Sequence, residues 1–217
     1  MRNWAIILAG GTGVRAGGGE PKQFRLLPNG KTVLETCVAA FVGQVDAICV
    51  VTHADYAEQT QTVLADYEVK VVNGGKERWE SSWNALQALG DVENVNVLIH
   101  DAARPFVSPR IIGDVCRALE SHEAVTVAVP ATDTLYRVEN NCVAEIPQRA
   151  AFMRAQTPQA FRLHVIRKAY ELALQDPSGV CVTDDCGIVK RYMPEVPIYI
   201  VAGEESNKKL TYKEDFD

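Results

Sequence analysis

Apolar residues in this chain fall into short, nearly unbroken runs, separated by longer stretches where they recur every three or four positions. The runs are 3–9 (NWAIILA), 46–52 (DAICVVT), 68–73 (EVKVVN), 95–100 (VNVLIH), 124–130 (AVTVAVP) and 196–202 (VPIYIVA). A strand with one wet face alternates apolar and polar residues. These runs do not, which predicts strands covered on both faces. Between them the spacing predicts helices over 33–42, 55–66, 77–89, 109–120, 161–175 and 184–192. Ser108-Pro109 gives an N-cap followed by proline at the first helical position, with Ile111, Val115 and Leu119 along one face. Alternating strands and helices predict an α/β fold: a Rossmann-like, mostly parallel twisted sheet flanked by helices, in one domain spanning 1–217. One stretch breaks the alternation. DTLYRVENNCVAEIP, 133–147, reads as two short β segments around Glu139-Asn140-Asn141, a protruding β-arm within 131–150. A lone hairpin is marginal in water, so the arm is expected to pack on something, a second subunit among the candidates.

Composition narrows the function. Hydrophobic content of 47% supports a full core, and the net charge of −6 argues against nucleic acid as a partner. A small anion is still acceptable, because local cations can hold it. Cys37, Cys49, Cys116, Cys142, Cys181 and Cys186 lie mostly in apolar segments without a CxxC pair, as expected of reduced core thiols in a cytoplasmic protein. No apolar run approaches the ~20 residues of a membrane span, and Met1-Arg-Asn-Trp leads into a strand rather than a signal peptide.

The candidate chemistry begins where the first apolar run ends. AGGTGVRAGGGEPKQ, Ala9 to Gln23, carries six of the chain's fifteen glycines. Backbone N–H groups of a glycine loop form an anion cradle, and glycine lets phosphates approach the backbone closely. Gly11 to Ala16 fits the G-x-G-x-x-A dinucleotide pattern, but Gly17-Gly18-Gly19 and Pro21 forbid the continuous helix that pattern needs. The acidic residue expected ~20 positions on falls at Glu35, inside a predicted helix. No G-K-[ST] closes a P-loop. A plain mobile turn with two solvated charges leaves Arg15 and Lys22 unexplained, whereas a triphosphate calls for such a cation pair.

A-G-G-x-G-x-R followed by P-K-Q-F resembles the signature of nucleotidyltransferases acting on sugar or polyol phosphates. His100-Asp-Ala-Ala-Arg-Pro105, Asp133-Thr134, Gln156-Thr-Pro-Gln-Ala-Phe161, Thr183-Asp-Asp185 and Asn207-Lys-Lys-Leu-Thr211 then follow in the order seen in the 2-C-methyl-D-erythritol 4-phosphate cytidylyltransferase family. The resemblance covers essentially the whole chain. It implies transfer of a cytidylyl group from CTP to a polyol phosphate, with Mg²⁺ as cofactor and a homodimer that exchanges arms. Ribitol-5-phosphate cytidylyltransferases share the glycine loop, PKQ and QTPQ, but HDAARP and DTLYRV stand closer to the methylerythritol branch. A nucleotide-binding module without turnover is the rival of another class.

The resemblance also implies roles. Arg15 and Lys22 flank the α-phosphate; with Asp101 and Lys209 they form the catalytic set, Asp101 also holding the metal. Ala9, Gly10, Gly11, Thr12 and Gly13 supply backbone around the nucleotide. Gly74, Gly75, Arg78 and Ser81 contact the base and ribose, and Ala102 also binds the nucleotide. Arg104, Thr134, Arg149, Thr157 and Thr183, together with Lys209, surround the polyol phosphate. Purely structural readings compete at several positions. Thr157-Pro158 and Thr183-Asp184 are both good N-cap sequences. Trp79, Trp83, Leu86 and Leu89 share one helix face and read as a core stripe rather than a base-stacking platform. His100 is tempting as a base, but an already ionised phosphate nucleophile needs none, so a packed histidine is expected.

Overall fold

The computed structural model describes residues 1–11, 21–180 and 182–216. The strands are β1 (Arg2–Ala9), β2 (Ala47–Thr52), β3 (Lys70–Asn73), β4 (Val95–Asp101), β5 (Ala124–Pro130), β6 (Arg137–Glu139), β7 (Cys142–Glu145), β8 (Met153–Arg162) and β9 (Ile198–Ala202). The helices are α1 (Val33–Phe41), α2 (Ala57–Val63), α3 (Arg78–Ala88), α4 (Pro109–Ala118), α5 (Leu163–Leu174) and α6 (Asp185–Tyr192). Among the described residues a seven-stranded sheet runs β3-β2-β1-β4-β8-β5-β9. The pairs β1–β2, β1–β4, β2–β3 and β5–β9 are parallel, and β8 lies antiparallel between β4 and β5.

Each apolar run became a strand for the reason the pattern gives: both faces of the sheet are covered. All seven residues of β4 are buried. On one face Leu34, Val38 and Phe41 of α1 meet Ile111, Ile112 and Val115 of α4. On the other, Leu86 of α3 meets Ile166 and Tyr170 of α5 and Ile188 of α6. Helix α1 is fixed at its start by a reciprocal cap. Thr32 Oγ1 accepts from the Glu35 N–H at 3.0 Å, and Glu35 Oε2 accepts from the Thr32 N–H at 2.8 Å. Such caps contribute ~1 kcal/mol. The same bonds commit Glu35 to the cap and take it from the dinucleotide reading.

Three expectations need correction. The central strand β8 was absent from the predicted strands, and Thr157-Pro158 lies within it rather than at a helix N-terminus. The pairing with β5 slips between Thr126 and Val127, opposite Gln159 and Gln156, so Thr157 and Pro158 occupy the bulge. Proline survives in a central strand there because the bulge asks for no ladder N–H. Helix α5 accordingly starts at Leu163, not at 161. Cys142 is exposed on the arm rather than packed in the core. Cys37 and Cys49 are buried as expected, and burial pushes the Cys49 thiol up to about 11.

The arm is present as a separate two-stranded sheet of β6 and β7. Asn140 and Asn141 turn its tip with positive φ values of 49° and 60°, a conformation asparagine tolerates better than most residues.

Candidate active site

The carboxyl ends of β1 and β4 open into a cleft of about 380 Å³. This is where open α/β sheets take ligands. Ala9, Gly10 and Gly11 continue β1 into its floor, and Asp101 and Ala102 end β4 beside them. Gly75, Arg78 and Ser81 form one wall; Lys22 and Lys209 form the other. Gly74 and Gly75 are demanded by close approach. A Cβ on Gly74 would stand 2.7 Å from Ser81 Oγ, and one on Gly75 would stand 2.2 Å from Glu80 Cβ. Ser81 Oγ accepts from the Gly75 N–H at 3.1 Å, which ties this glycine pair to the first turn of α3.

Asp101 sits between two cations. Its Oδ1 accepts from Arg78 Nε at 3.2 Å and its Oδ2 from Lys209 Nζ at 2.7 Å. Burial opposes ionisation, but the charges of Arg78 and Lys209 outweigh it and hold the carboxyl below the usual range. Arg78 is itself divided, its Nη1 donating to Asp185 Oδ2 at 2.6 Å. Burial works against its charge, while Asp185 and Asp101 more than restore it.

The cation-bearing loops are latched by buried amides. Gln23 Nε2 donates to the Ala9 carbonyl at 2.9 Å and seats the turn carrying Lys22, whose Nζ donates to the Leu210 carbonyl at 3.2 Å. Asn207 is wholly buried; its Nδ2 donates to Gln156 Oε1 at 3.1 Å and to the Thr157 carbonyl at 2.9 Å. The Leu210 N–H then donates to the Ala103 carbonyl at 2.8 Å, which fixes Lys209 against β4.

His100 is buried and wholly engaged. Its Nε2 lies 3.0 Å from the Arg104 carbonyl, which can only accept, so Nε2 carries the proton. Its Nδ1 therefore accepts from Thr157 Oγ1–H at 2.9 Å, and Thr157 Oγ1 accepts from the Asp101 N–H at 3.1 Å. Burial, above all, pushes the His100 imidazole down to about 4. It is a neutral framework residue, not a base poised near neutrality.

The polyol set is less gathered. Arg104 Nη1 donates to the Asn207 carbonyl at 2.7 Å, next to the cleft. The Thr157 hydroxyl is taken up by His100 and Asp101, as above. Thr183 is exposed and lines a smaller cleft of about 160 Å³ with Arg78, Trp79 and Asp184; it does not cap α6. Asp184 does, accepting from the Gly187 N–H at 2.8 Å. Thr134 and Arg149 are exposed on the arm and do not line the cleft, and Arg149 Nη1 donates to the Thr132 carbonyl at 2.8 Å. Thr12, Gly13 and Arg15 lie outside the described residues.

The tryptophans behave as a core stripe. Trp79 and Trp83 pack against the α3/α5/α6 side of the core, and Trp83 stacks on Tyr170 with ring centroids 5.7 Å apart. Three participants escaped sequence reasoning. Asp185 was visible in Thr183-Asp-Asp185 but received no role, Tyr170 looked like any apolar-face residue, and Gln159 lay in the unrecognised strand.

Among the described residues no group of three His, Cys, Asp or Glu side chains could hold a metal, and no helix is long and apolar enough to cross a membrane. A lone carboxylate nevertheless suits Mg²⁺, which takes one or two carboxylates and completes its shell with phosphate oxygens and water. Asp101 fits that donor chemistry: it stays ionised and faces the glycine floor.

Comparison with known proteins gives the family and the fold. The family model described as "IspD: 2-C-methyl-D-erythritol 4-phosphate cytidylyltransferase" matches residues 4–217. A cytidylyltransferase of that name from Thermobifida fusca is 46% identical over 223 residues, covering 97% of this chain and 89% of the relative. A bifunctional ribulose 5-phosphate reductase/CDP-ribitol pyrophosphorylase from Haemophilus influenzae is 41% identical, but this chain spans only 46% of its length. Among solved structures, the 4-diphosphocytidyl-2C-methyl-D-erythritol synthase of Anaerococcus prevotii superposes with a TM-score of 0.87 at 30% identity, covering 99% of this chain and 92% of that one. The 2-C-methyl-D-erythritol 4-phosphate cytidylyltransferase of Francisella tularensis gives 0.85 at 31%, covering 100% and 97%. With its glycine-floored cleft and its match along nearly the whole sequence, this chain belongs to the 2-C-methyl-D-erythritol 4-phosphate cytidylyltransferase family.

Proposed function

We propose that the cleft between β1 and β4 is where this cytidylyltransferase joins CTP to 2-C-methyl-D-erythritol 4-phosphate, giving 4-diphosphocytidyl-2-C-methyl-D-erythritol and pyrophosphate. A phosphate oxygen of the acceptor attacks the α-phosphorus in line, and the bond to the bridging β-phosphate oxygen breaks. The attacking oxygen is already ionised, so the protein supplies position and charge rather than a base. Lys22, with Arg15 from the glycine loop, meets the charge that grows at the α-phosphorus. Lys209 and Arg104 hold the acceptor phosphate nearby. The backbone of Ala9, Gly10 and Gly11 cradles the triphosphate, and Gly74, Gly75, Arg78, Ser81 and Ala102 receive the nucleoside. Asp101 would hold Mg²⁺, which when bound offsets phosphate charge.

The carrying observation is the convergence of Lys22, Arg78, Asp101 and Lys209 on one cleft floored by glycine backbone. Incubation with CTP, magnesium and either methylerythritol phosphate or ribitol 5-phosphate tests the reading through product identity by mass spectrometry. Methylerythritol phosphate should be the faster acceptor by far; a preference for ribitol 5-phosphate would reverse the assignment.

The working unit in this reading is a homodimer. The arm carries Thr134 and Arg149, and its exposed Tyr136, Val138, Val143 and Ile146 offer an apolar surface for a second copy. Crossing to the partner would bring Thr134 and Arg149 to the partner's polyol phosphate. Free thiols at Cys37, Cys49, Cys116, Cys142 and Cys186 support a reducing, cytoplasmic setting.

A further inference from the structure

Asp185 does not line the main cleft, yet its side chain has no exposed surface and its carboxylate is spent on two partners. Oδ2 accepts from Arg78 Nη1 at 2.6 Å, and Oδ1 accepts from the Tyr170 hydroxyl at 2.7 Å. Tyr170 is itself fully buried; burial and the neighbouring Asp185 keep its phenol protonated, so it donates. The backbone locks the residue further. The Asp185 N–H donates to Gln159 Oε1 at 3.0 Å, and Gln159 Nε2 donates to Asp184 Oδ2 at 2.6 Å. Asp185, the first residue of α6, is thus bound to α3, α5 and β8 at once.

A buried ion pair is a poor device for stability, because desolvation offsets most of the attraction. This one is aimed at a functional side chain. Arg78 opens α3 and reaches from Asp185 to Asp101, so one guanidinium spans an outer and an inner carboxylate. We infer that Asp185 is a positioning residue for cytidylyl transfer, with Tyr170 as its support. By taking Nη1 it limits Arg78 to one Nε contact with Asp101 and leaves Asp101 Oδ2 to Lys209 and the cleft. Without Asp185 the guanidinium would turn its two-pronged edge onto Asp101 in a bidentate pair. That would move Arg78 off the nucleotide wall and mask the carboxylate. The inference rests on the reading that Arg78 and Asp101 serve CTP.

Calorimetry with CTP and magnesium tests it on Asp185→Asn, Tyr170→Phe, Arg78→Met and the Asp185→Asn/Arg78→Met double variant. Asp185→Asn should weaken CTP tenfold or more, while the KM for methylerythritol phosphate stays within twofold. Tyr170→Phe should weaken CTP two- to fivefold. In the Arg78→Met background, Asp185→Asn should add less than twofold, because its route to the cleft is already cut. Equal losses in both backgrounds would overturn the inference, as would an equal rise in the acceptor KM. If Arg78→Met weakens CTP but neither Asp185→Asn nor Tyr170→Phe does, the inference alone fails. If Arg78→Met changes nothing, the reading of Arg78 fails and takes the inference with it. Should Asp185→Asn not fold, Tyr170→Phe and its double with Arg78→Met decide by the same logic.

Discussion

The cleft wall and the arm are built on opposite principles. In the wall, charged and polar groups are held by partners far away in sequence: Lys209 meets Asp101, Arg78 meets Asp185, and Asn207 meets Gln156. Its bonds are formed within the fold, so its electrostatics are set before any ligand arrives. Among the described residues the arm's ties are local, such as Arg137 with Glu145 and Arg149 with Thr132, and Tyr136, Val138, Val143 and Ile146 face water. One region is tied together by long-range bonds within a single chain. The other keeps an apolar surface that no described residue of its own chain covers. Sites that stabilise developing charge gain from being rigid in advance, whereas an interface element needs only a shape that another surface can finish.

The sharpest break of this comparison would be a preformed cation that turned out not to matter. Lys22→Ala should lower turnover by ~10²–10³, equivalent to about 3–4 kcal/mol of barrier, as for other preorganised donors. CTP affinity should weaken far less. Pyrophosphate release measured beside calorimetry separates the two, and an unchanged rate would remove Lys22 from the chemistry.

The next test asks whether the wall depends on its buried framework. His100 titrates near about 4 in the fold, against about 6.5 in an unfolded chain, so the unfolded state binds the proton more readily. Its contribution is therefore whole above pH ~6.5 and declines as pH falls toward 4, by about 3 kcal/mol across that window. Asp101 acts lower: its depressed value keeps its contribution intact above the usual carboxylate range, and it is lost only at more acid pH. Urea midpoints between pH 7 and 4.5 should fall for the wild type and fall less for His100→Gln. Equal slopes would mean that another group carries the acid sensitivity.

The arm can be broken without touching the wall. Ile146→Asp should weaken self-association by about tenfold, ~1.4 kcal/mol, as expected for one apolar contact near an interface core. Light scattering over a dilution series reads the shift. Activity should fall with the dimer fraction while CTP affinity stays put. A wild type that is monomeric and fully active at every concentration would contradict the arm's proposed role.

The same division explains what was legible in the sequence. The parallel strands announced themselves because burial on both faces leaves unbroken apolar runs, and the arm because Asn140-Asn141 marks its turn. Strand β8 did not, since Thr157-Pro158 read as the N-cap of a helix; the polar atoms of Gln156, Thr157 and Gln159 are satisfied by His100, Asn207, Asp184 and Asp185, which no local pattern can foresee. The cleft residues Ala9, Lys22, Asp101 and Lys209 were recoverable as motifs. Their supports were not. Tyr170 lies in a helix stripe where a buried phenol looks like any aromatic, and Asp185 looks like half of a capping pair.

The smallest effect should come from the residue most easily mistaken for a ligand contact. Trp79 follows Arg78 on α3 and lines the smaller cleft, so an aromatic platform for the base is a natural suggestion. Its ring instead packs against the core beside Trp83 and Leu86. Stacking of a base on an aromatic side chain is worth ~1–3 kcal/mol by truncation. If Trp79 carried that contact, Trp79→Leu would weaken CTP by at least fivefold. A core role predicts less than threefold, below ~0.7 kcal/mol, with the cost appearing as a lower urea midpoint instead. Calorimetry and unfolding on one variant thus separate the two roles. A loss confined to CTP affinity would move the base from the glycine wall of Gly74 and Gly75 to the outer face of α3.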